Sequence, residues 1–64
     1  MRKVQRLETL YGRTDSELVA EIAKYAQREG MEIANLSVLY REKYLYSYAA
    51  FVVFEKMEVE DELD

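Results

Sequence analysis

Residues 44–54 read YLYSYAAFVVF, and this segment constrains the architecture more than any other part of the 64-residue chain. It is rich in aromatic and β-branched residues, which favour extended strands. From Ala49 onward the apolar side chains fall on both faces of such a strand. That pattern is typical of a strand flanked on both sides, so the segment predicts the central strand of a sheet.

The pattern before this segment also predicts a strand. Between residues 34 and 41 apolar residues alternate with Asn35, Ser37, Leu39 and Arg41, of which only Leu39 is apolar, and this alternation is typical of a half-buried strand. A polar break at residues 41–43 separates the two strands, so we expect a hairpin. The break lacks Gly, Asn, Asp and Pro, which leaves the turn type and the register open. The alternating apolar residues are Ala34, Leu36, Val38 and Tyr40.

An amphipathic helix is predicted over residues 15–29. Thr14 and Glu17 match the S/T-x-x-E capping box of a helix start, and Gly30 is a typical residue just beyond a helix end. Between them apolar residues recur at helical spacing, while charged residues cover the opposite side. The apolar residues are Leu18, Ile22, Tyr25 and Ala26, with Val19 and Ala23 beside them.

Residues 2–11 fit two structures. Val4 and Leu7 belong to a set with helical spacing, whereas Leu7, Thr9 and Tyr11 alternate as in a strand. A strand is preferred because a lone two-stranded hairpin is marginal and the central strand needs a second neighbour. We therefore predict a single small α+β domain of order β-α-β-β, in which one amphipathic helix lies on a three-stranded antiparallel sheet of strand order 1-3-2. The alternative order is α-α-β-β.

The amino-acid composition excludes most classes of catalytic and metal-binding site. The chain contains no Cys, no His and no Trp. Without Cys and His, the Ser-His-Asp and Cys-His arrangements for nucleophilic catalysis cannot form, and the usual zinc ligands are missing. The two glycines lie at expected turns and do not form a phosphate-binding loop. We therefore predict that the protein is not an enzyme and holds no cofactor or metal.

The hydropathy of the sequence predicts where in the cell the protein is located. The longest apolar run, residues 48–54, has seven residues, whereas a membrane-spanning helix needs about 20. The N-terminus lacks the apolar core of a signal peptide. We therefore expect a cytoplasmic protein that does not associate with a membrane.

Charge is unevenly distributed along a chain of net charge −4. From residue 55 onward there are six acids and one base, whereas residues 1–54 hold seven acids and eight bases. We divide the chain into a domain of residues 1–57 and an acidic, solvated and mobile tail of residues 58–64. Nucleic acid is not the expected partner, because its binders usually carry a basic excess. The tail instead offers Glu58, Glu60, Asp61 and Glu62 to a protein partner with a basic surface.

Three tyrosines, Tyr44, Tyr46 and Tyr48, are spaced by two and would share one face of an extended segment. One helix covers one face of the sheet, so the other face keeps an exposed apolar and aromatic surface. A homo-oligomer would bury that surface and support the thin core of so short a chain. We therefore predict a small non-enzymatic interaction module that self-associates through its sheet, with these tyrosines in the contact. It would act by binding a partner macromolecule, as an acidic inhibitor or a nucleic-acid mimic.

Two resemblances to known families carry related expectations. Residues 10–17, LYGRTDSE, followed by an alanine-containing helix and by residues 34–38, ANLSV, resemble the opening of the dodecins. Dodecins are β-α-β-β proteins that assemble into hollow dodecamers and hold flavins between aromatic residues; where they carry a flavin-stacking Trp, this chain has Val38 or a neighbour. The resemblance implies an alternative function, an oligomer that sequesters a flavin or another planar aromatic ligand. Residues 48–55, YAAFVVFE, are similar to the hairpin of small sporulation-associated proteins of bacilli.

Overall fold

The computed structural model describes residues 2–59 of the chain. The elements follow in the order β1 (Arg2–Gly12), α1 (Asp15–Glu29), β2 (Glu32–Tyr40) and β3 (Tyr48–Glu58). The three strands pair antiparallel in the sheet order β1-β3-β2, so β3 lies in the middle. The predicted β-α-β-β domain with strand order 1-3-2 is confirmed, and the alternative with an N-terminal helix is wrong.

Helix α1 begins and ends where the capping residues predict. The Thr14 hydroxyl oxygen accepts a hydrogen bond from the backbone N–H of Glu17 at 3.1 Å. The Glu17 carboxylate in turn accepts one from the backbone N–H of Arg13, one residue earlier than in a standard capping box. At the other end Gly30 adopts a left-handed conformation with φ of 65°, which glycine reaches without strain.

The core lies between α1 and the side of β3 that faces it. Ala50, Val52 and Phe54 alternate along β3 and are fully buried there. The ring of Tyr25 packs on that of Phe54, with 4.5 Å between the ring centroids. Full burial of a Val or Phe side chain contributes about 1.5–3 kcal/mol, so these contacts hold the helix on the sheet. The core consists of Leu18, Ile22, Tyr25, Met31, Ala50, Val52 and Phe54.

Strand β2 lies beyond the reach of the helix. Helix α1 packs on β1 and β3, and every residue of β2 is exposed. The physical reason is width, because an α-helix is about 10 Å across and strands lie about 4.8 Å apart, so one helix covers about two strands. The prediction of an extended segment over residues 34–41 is therefore right for residues 34–40, while Arg41 lies beyond the strand. The prediction that this segment is half-buried is wrong.

The connection between β2 and β3 is longer than the sequence predicts. Strand β3 begins at Tyr48, and residues 41–47 form a loop. The backbone N–H of Arg41 donates to the Ser47 carbonyl at 2.7 Å, and the Ser47 hydroxyl donates to the Tyr44 carbonyl at 3.0 Å. These bonds close the 41–47 loop locally and take its side chains out of the sheet.

Candidate interaction surfaces

Strand β2 carries an apolar strip on the helix side of the sheet. The register places Leu36 opposite Val52 and Val38 opposite Ala50, and directly opposed residues share a face. Because Val52 and Ala50 are buried under the helix, the strip lies on the same side and next to it. The strip, called here the β2 strip, consists of Ile33, Leu36, Val38 and Tyr40, with exposed fractions of 45–56%.

The β2 strip lies along an unpaired edge of the sheet. Within residues 2–59, β2 pairs with β3 on one side and with no strand on the other. Residues 33–40 contain no charged residue and no proline, the features that usually protect edge strands from pairing. The other edge strand, β1, is protected by Arg2, Lys3 and Arg6. The two edges therefore differ, and β2 is the one open to another strand.

A bulge limits the part of β2 that can pair regularly. The register with β3 shifts between Ile33 and Asn35, and a bulge bends a strand and disrupts its ladder. From Asn35 to Tyr40 six consecutive residues follow a regular register. The regular edge is therefore residues 35–40, which hold three of the four residues of the β2 strip.

The face of the sheet that points away from α1 is a second exposed surface. The register with β3 places Leu7 opposite Val53 and Lys3 opposite Met57 on this face. Leu7 is 67% exposed. Polar groups interrupt the surface, because Gln5 donates a hydrogen bond across it to Glu55 at 3.3 Å. This face is therefore mixed in character, unlike the β2 strip.

The three tyrosines predicted to share one strand face do not do so. Tyr48 is the first residue of β3, and its ring lies 4.9 Å from that of Tyr40 on the neighbouring strand. Tyr44 and Tyr46 lie in the 41–47 loop, with exposed fractions of 59% and 42%. A shared tyrosine stripe is therefore absent, and the role of these residues in self-association stays a prediction.

Two guanidinium groups lie over the rings of the loop tyrosines. The Arg41 guanidinium carbon is 4.4 Å from the ring centroid of Tyr44, and that of Arg13 is 5.4 Å from the centroid of Tyr46. The sequence pattern predicts neither contact. Arg13 and Tyr46 come from separate segments, whereas Arg41 and Tyr44 meet through a turn of the 41–47 loop, in which the Tyr44 N–H donates to the Arg41 carbonyl at 3.4 Å. This arginine–tyrosine cluster comprises Tyr11, Arg13, Arg41, Tyr44 and Tyr46.

The acidic residues predicted to contact a partner divide into two groups. Glu58 is the last residue of β3, although the predicted boundary places it in the tail. Its carboxylate lies 3.4 Å from the Arg2 guanidinium and 3.7 Å from the Lys56 ammonium. Glu60, Asp61 and Glu62 lie outside the described residues.

A polar network joins β1 to the helix. Arg6 donates to the Tyr25 hydroxyl at 3.0 Å and to the Glu29 carboxylate at 3.1 Å, and the Tyr25 hydroxyl donates to Glu8 at 3.1 Å. The hydrogen bonds to Tyr25 and then to Glu29 raise the pKa of Arg6. The hydrogen bond from Arg28, followed by that from Arg6, lowers the pKa of Glu29. Since these groups bond to one another, we interpret the network as structural.

Two kinds of feature are absent from the part of the chain that the structure describes. Within residues 2–59 no three His, Cys, Asp or Glu side chains are grouped so that they could hold a metal ion. The same residues include no helix with the length and apolarity needed to cross a membrane.

Comparison with known proteins finds no match to a protein family model, to a curated protein or to a solved structure. The function must therefore be inferred from the surfaces of the chain.

Proposed function

We propose that this protein is a small non-enzymatic interaction module that self-associates by pairing the β2 strands of two copies, and that acts by binding a partner macromolecule. The observation that supports this proposal is that β2 is an exposed and unprotected edge strand. This edge strand has nine residues, all of them exposed, and its regular part carries neither charge nor proline. Such an edge favours pairing with another strand.

Pairing of two β2 strands would combine two favourable terms. It would give hydrogen-bond partners to the outward N–H and C=O groups of the edge, and it would place the two β2 strips side by side. A two-fold axis makes such an interface self-complementary, since each copy contributes the same segment. A standard interface hides about 800 Å² per partner, which is about one sixth of the 4867 Å² surface of the chain.

Val38→Lys tests the self-association. Val38 is 54% exposed in one subunit, so the folded subunit tolerates lysine there, whereas the paired edge would bring two like charges together. By light scattering at about 500 μM, where mass action favours association, we expect the wild type at twice the chain mass of 7.6 kDa. We expect Val38→Lys at the mass of a single chain.

Leu7→Lys is the matched control, because Leu7 is 67% exposed on the face away from the helix. It should remain associated. A wild type that stays monomeric at this concentration contradicts the proposal. Dissociation by Leu7→Lys but not by Val38→Lys would assign the contact to the open face and exclude the β2 edge.

The proposed partner is a protein with a basic surface, which the acidic C-terminal sequence would attract. The charge balance from residue 55 onward is six acids to one base, and opposite charge chiefly accelerates association and selects partners. Because Glu58 belongs to β3, the truncation that spares the sheet removes residues 60–64. Partner affinity should fall in the truncated chain, and added salt should weaken the affinity of the full chain more than that of the truncated one; an unchanged affinity would exclude this role.

A further inference from the structure

We infer that the arginine–tyrosine cluster is a binding site for a mononucleotide, with the base stacked on the tyrosine rings and the phosphate held by Arg41. The site lies at the 41–47 loop and at the end of β1, and none of its lining residues belongs to β2. It is independent of the proposed self-association and goes beyond it.

Aromatic side chains from two segments line one small cavity. Tyr11, at the end of β1, borders it together with Tyr44, Leu45 and Tyr46 of the 41–47 loop. Its volume is about 270 Å³, just below the roughly 300–1,000 Å³ found for small-molecule sites. The three tyrosines are 42–59% exposed, so their rings are accessible to a ligand. One flat, base-sized ring system therefore fits this cavity, and stacking on tyrosine suits any base.

The charge in this cavity is positive. Arg41 lines it, and no carboxylate does. Among residues 2–59 neither Arg41 nor Arg13 forms an ion pair. A guanidinium group binds phosphate through two parallel hydrogen bonds, which makes it a specific phosphate ligand.

The Nε atom of Arg41 is a second indication that an anion binds here. It is buried, and among the described residues it has no hydrogen-bond partner. A buried donor without an acceptor costs free energy, and native structures rarely leave one unpaired. The Arg41 guanidinium carbon lies 4.4 Å from the Tyr44 ring centroid. A shift of this loop side chain toward an anionic oxygen would give Nε its missing acceptor and remove that cost.

The neighbouring carboxylates decide where the phosphate lies. Arg13 lines an adjacent cavity whose wall includes Glu17 and Glu21, and these carboxylates would repel an anion. Arg13 therefore positions the ring of Tyr46, and Arg41 takes the phosphate. A mononucleotide is favoured over a nucleic-acid strand because successive phosphates would meet a protein of net charge −4.

The test uses AMP and adenosine as probes, with tyrosine ring resonances followed by NMR. We expect saturable shifts for the cluster tyrosines with AMP, and an affinity about tenfold lower for adenosine, as expected for loss of a charge-assisted hydrogen bond. Arg41→Gln should weaken AMP binding by about tenfold as well. Lys43→Gln is the matched control, since it removes the same charge from the same loop outside the cavity; its affinity should stay within about twofold of wild type.

Four results would overturn the assignment: no saturable shift at millimolar AMP, equal affinity for AMP and adenosine, equal loss in the two variants, or far tighter binding of a short oligodeoxyadenylate than of AMP. Arg41→Lys keeps the positive charge and removes the planar guanidinium group. This variant should bind AMP with an affinity between those of the wild type and Arg41→Gln. Val38→Lys, which is designed to break the β2 contact, should bind AMP like the wild type. Loss of self-association and loss of nucleotide binding are thereby distinguishable.

Discussion

Val52 and Val38 form a matched pair of valines on the same side of the sheet, on neighbouring strands. In one subunit Val52 is fully buried under the helix, whereas Val38 is 54% exposed. Replacing either valine by Ala removes the same atoms, so the two losses in the free energy of unfolding differ only through the burial of the two side chains. If β2 pairs with a second copy, Val38 is buried only in the dimer. The cost of Val38→Ala must then depend on protein concentration.

The expected magnitudes follow from these exposures. Val→Ala removes two carbons worth about 0.8 kcal/mol each when buried, to which the cavity adds its own cost. Val52→Ala should therefore lower the free energy of unfolding by about 2–3 kcal/mol at any concentration. Val38→Ala should cost less than about 0.5 kcal/mol in dilute protein and about 1 kcal/mol more per subunit in the dimer. Because a domain of this size has about 3–10 kcal/mol of stability, the first loss is a large fraction of the total.

Urea unfolding followed by circular dichroism at about 2 μM and about 200 μM protein measures both effects. The wild-type midpoint should rise with concentration, and it should rise less in Val38→Ala. Val52→Ala should lower the midpoint at both concentrations. A wild-type midpoint that is the same at both concentrations, with an equally small cost of Val38→Ala at each, would refute the reasoning.

Three further predictions concern the fold. Thr14→Ala removes the acceptor for the Glu17 N–H and should cost about 1 kcal/mol in urea unfolding; no measurable loss would exclude the cap as a contributor. At Gly12 an added Cβ would lie 2.5 Å from the backbone nitrogen of Leu18, so Gly12→Ala should destabilise by about 1–3 kcal/mol, and an unchanged melting temperature would contradict this. The lowered pKa of Glu29 means that the ion pairs of this carboxylate stabilise the fold above its ordinary pKa, and that this stability is lost as the pH falls through the lowered value. In Glu29→Gln the free energy of unfolding should therefore depend less on pH in the acid range. The same loss of stability at acid pH in the variant and in the wild type would count against this.

Local signals account for the elements that the sequence predicts well. The capping residues Thr14 and Gly30 place the ends of the helix, because caps act within one turn of the chain. The apolar character of both faces of β3 predicts its central position, and that position in turn requires β1 to be a strand. The prediction of a strand at the N-terminus thus depends on the second neighbour that a central strand requires, since the periodicity of residues 2–11 fits both a helix and a strand.

The start of β3 was not predictable in the same way. Tyr44 and Tyr46 lie in a segment with strong strand propensity, yet they belong to the loop. The break at residues 41–43 lacks the residues that a tight hairpin turn needs. A longer loop closes instead between Arg41 and Ser47.

Periodicity and capping in the chain specify which segments are helical or extended and which strand lies in the middle, because these depend on near neighbours and on the two faces of a strand. Burial of β2 depends on where the helix lies, and alternation along residues 34–41 describes a strand without saying whether anything covers it. The convergence of Tyr11 and Arg41 on one cavity likewise joins segments far apart in sequence. Both features follow from three-dimensional packing. The exposure of β2 arises because one helix is about as wide as two strands and leaves the third strand uncovered.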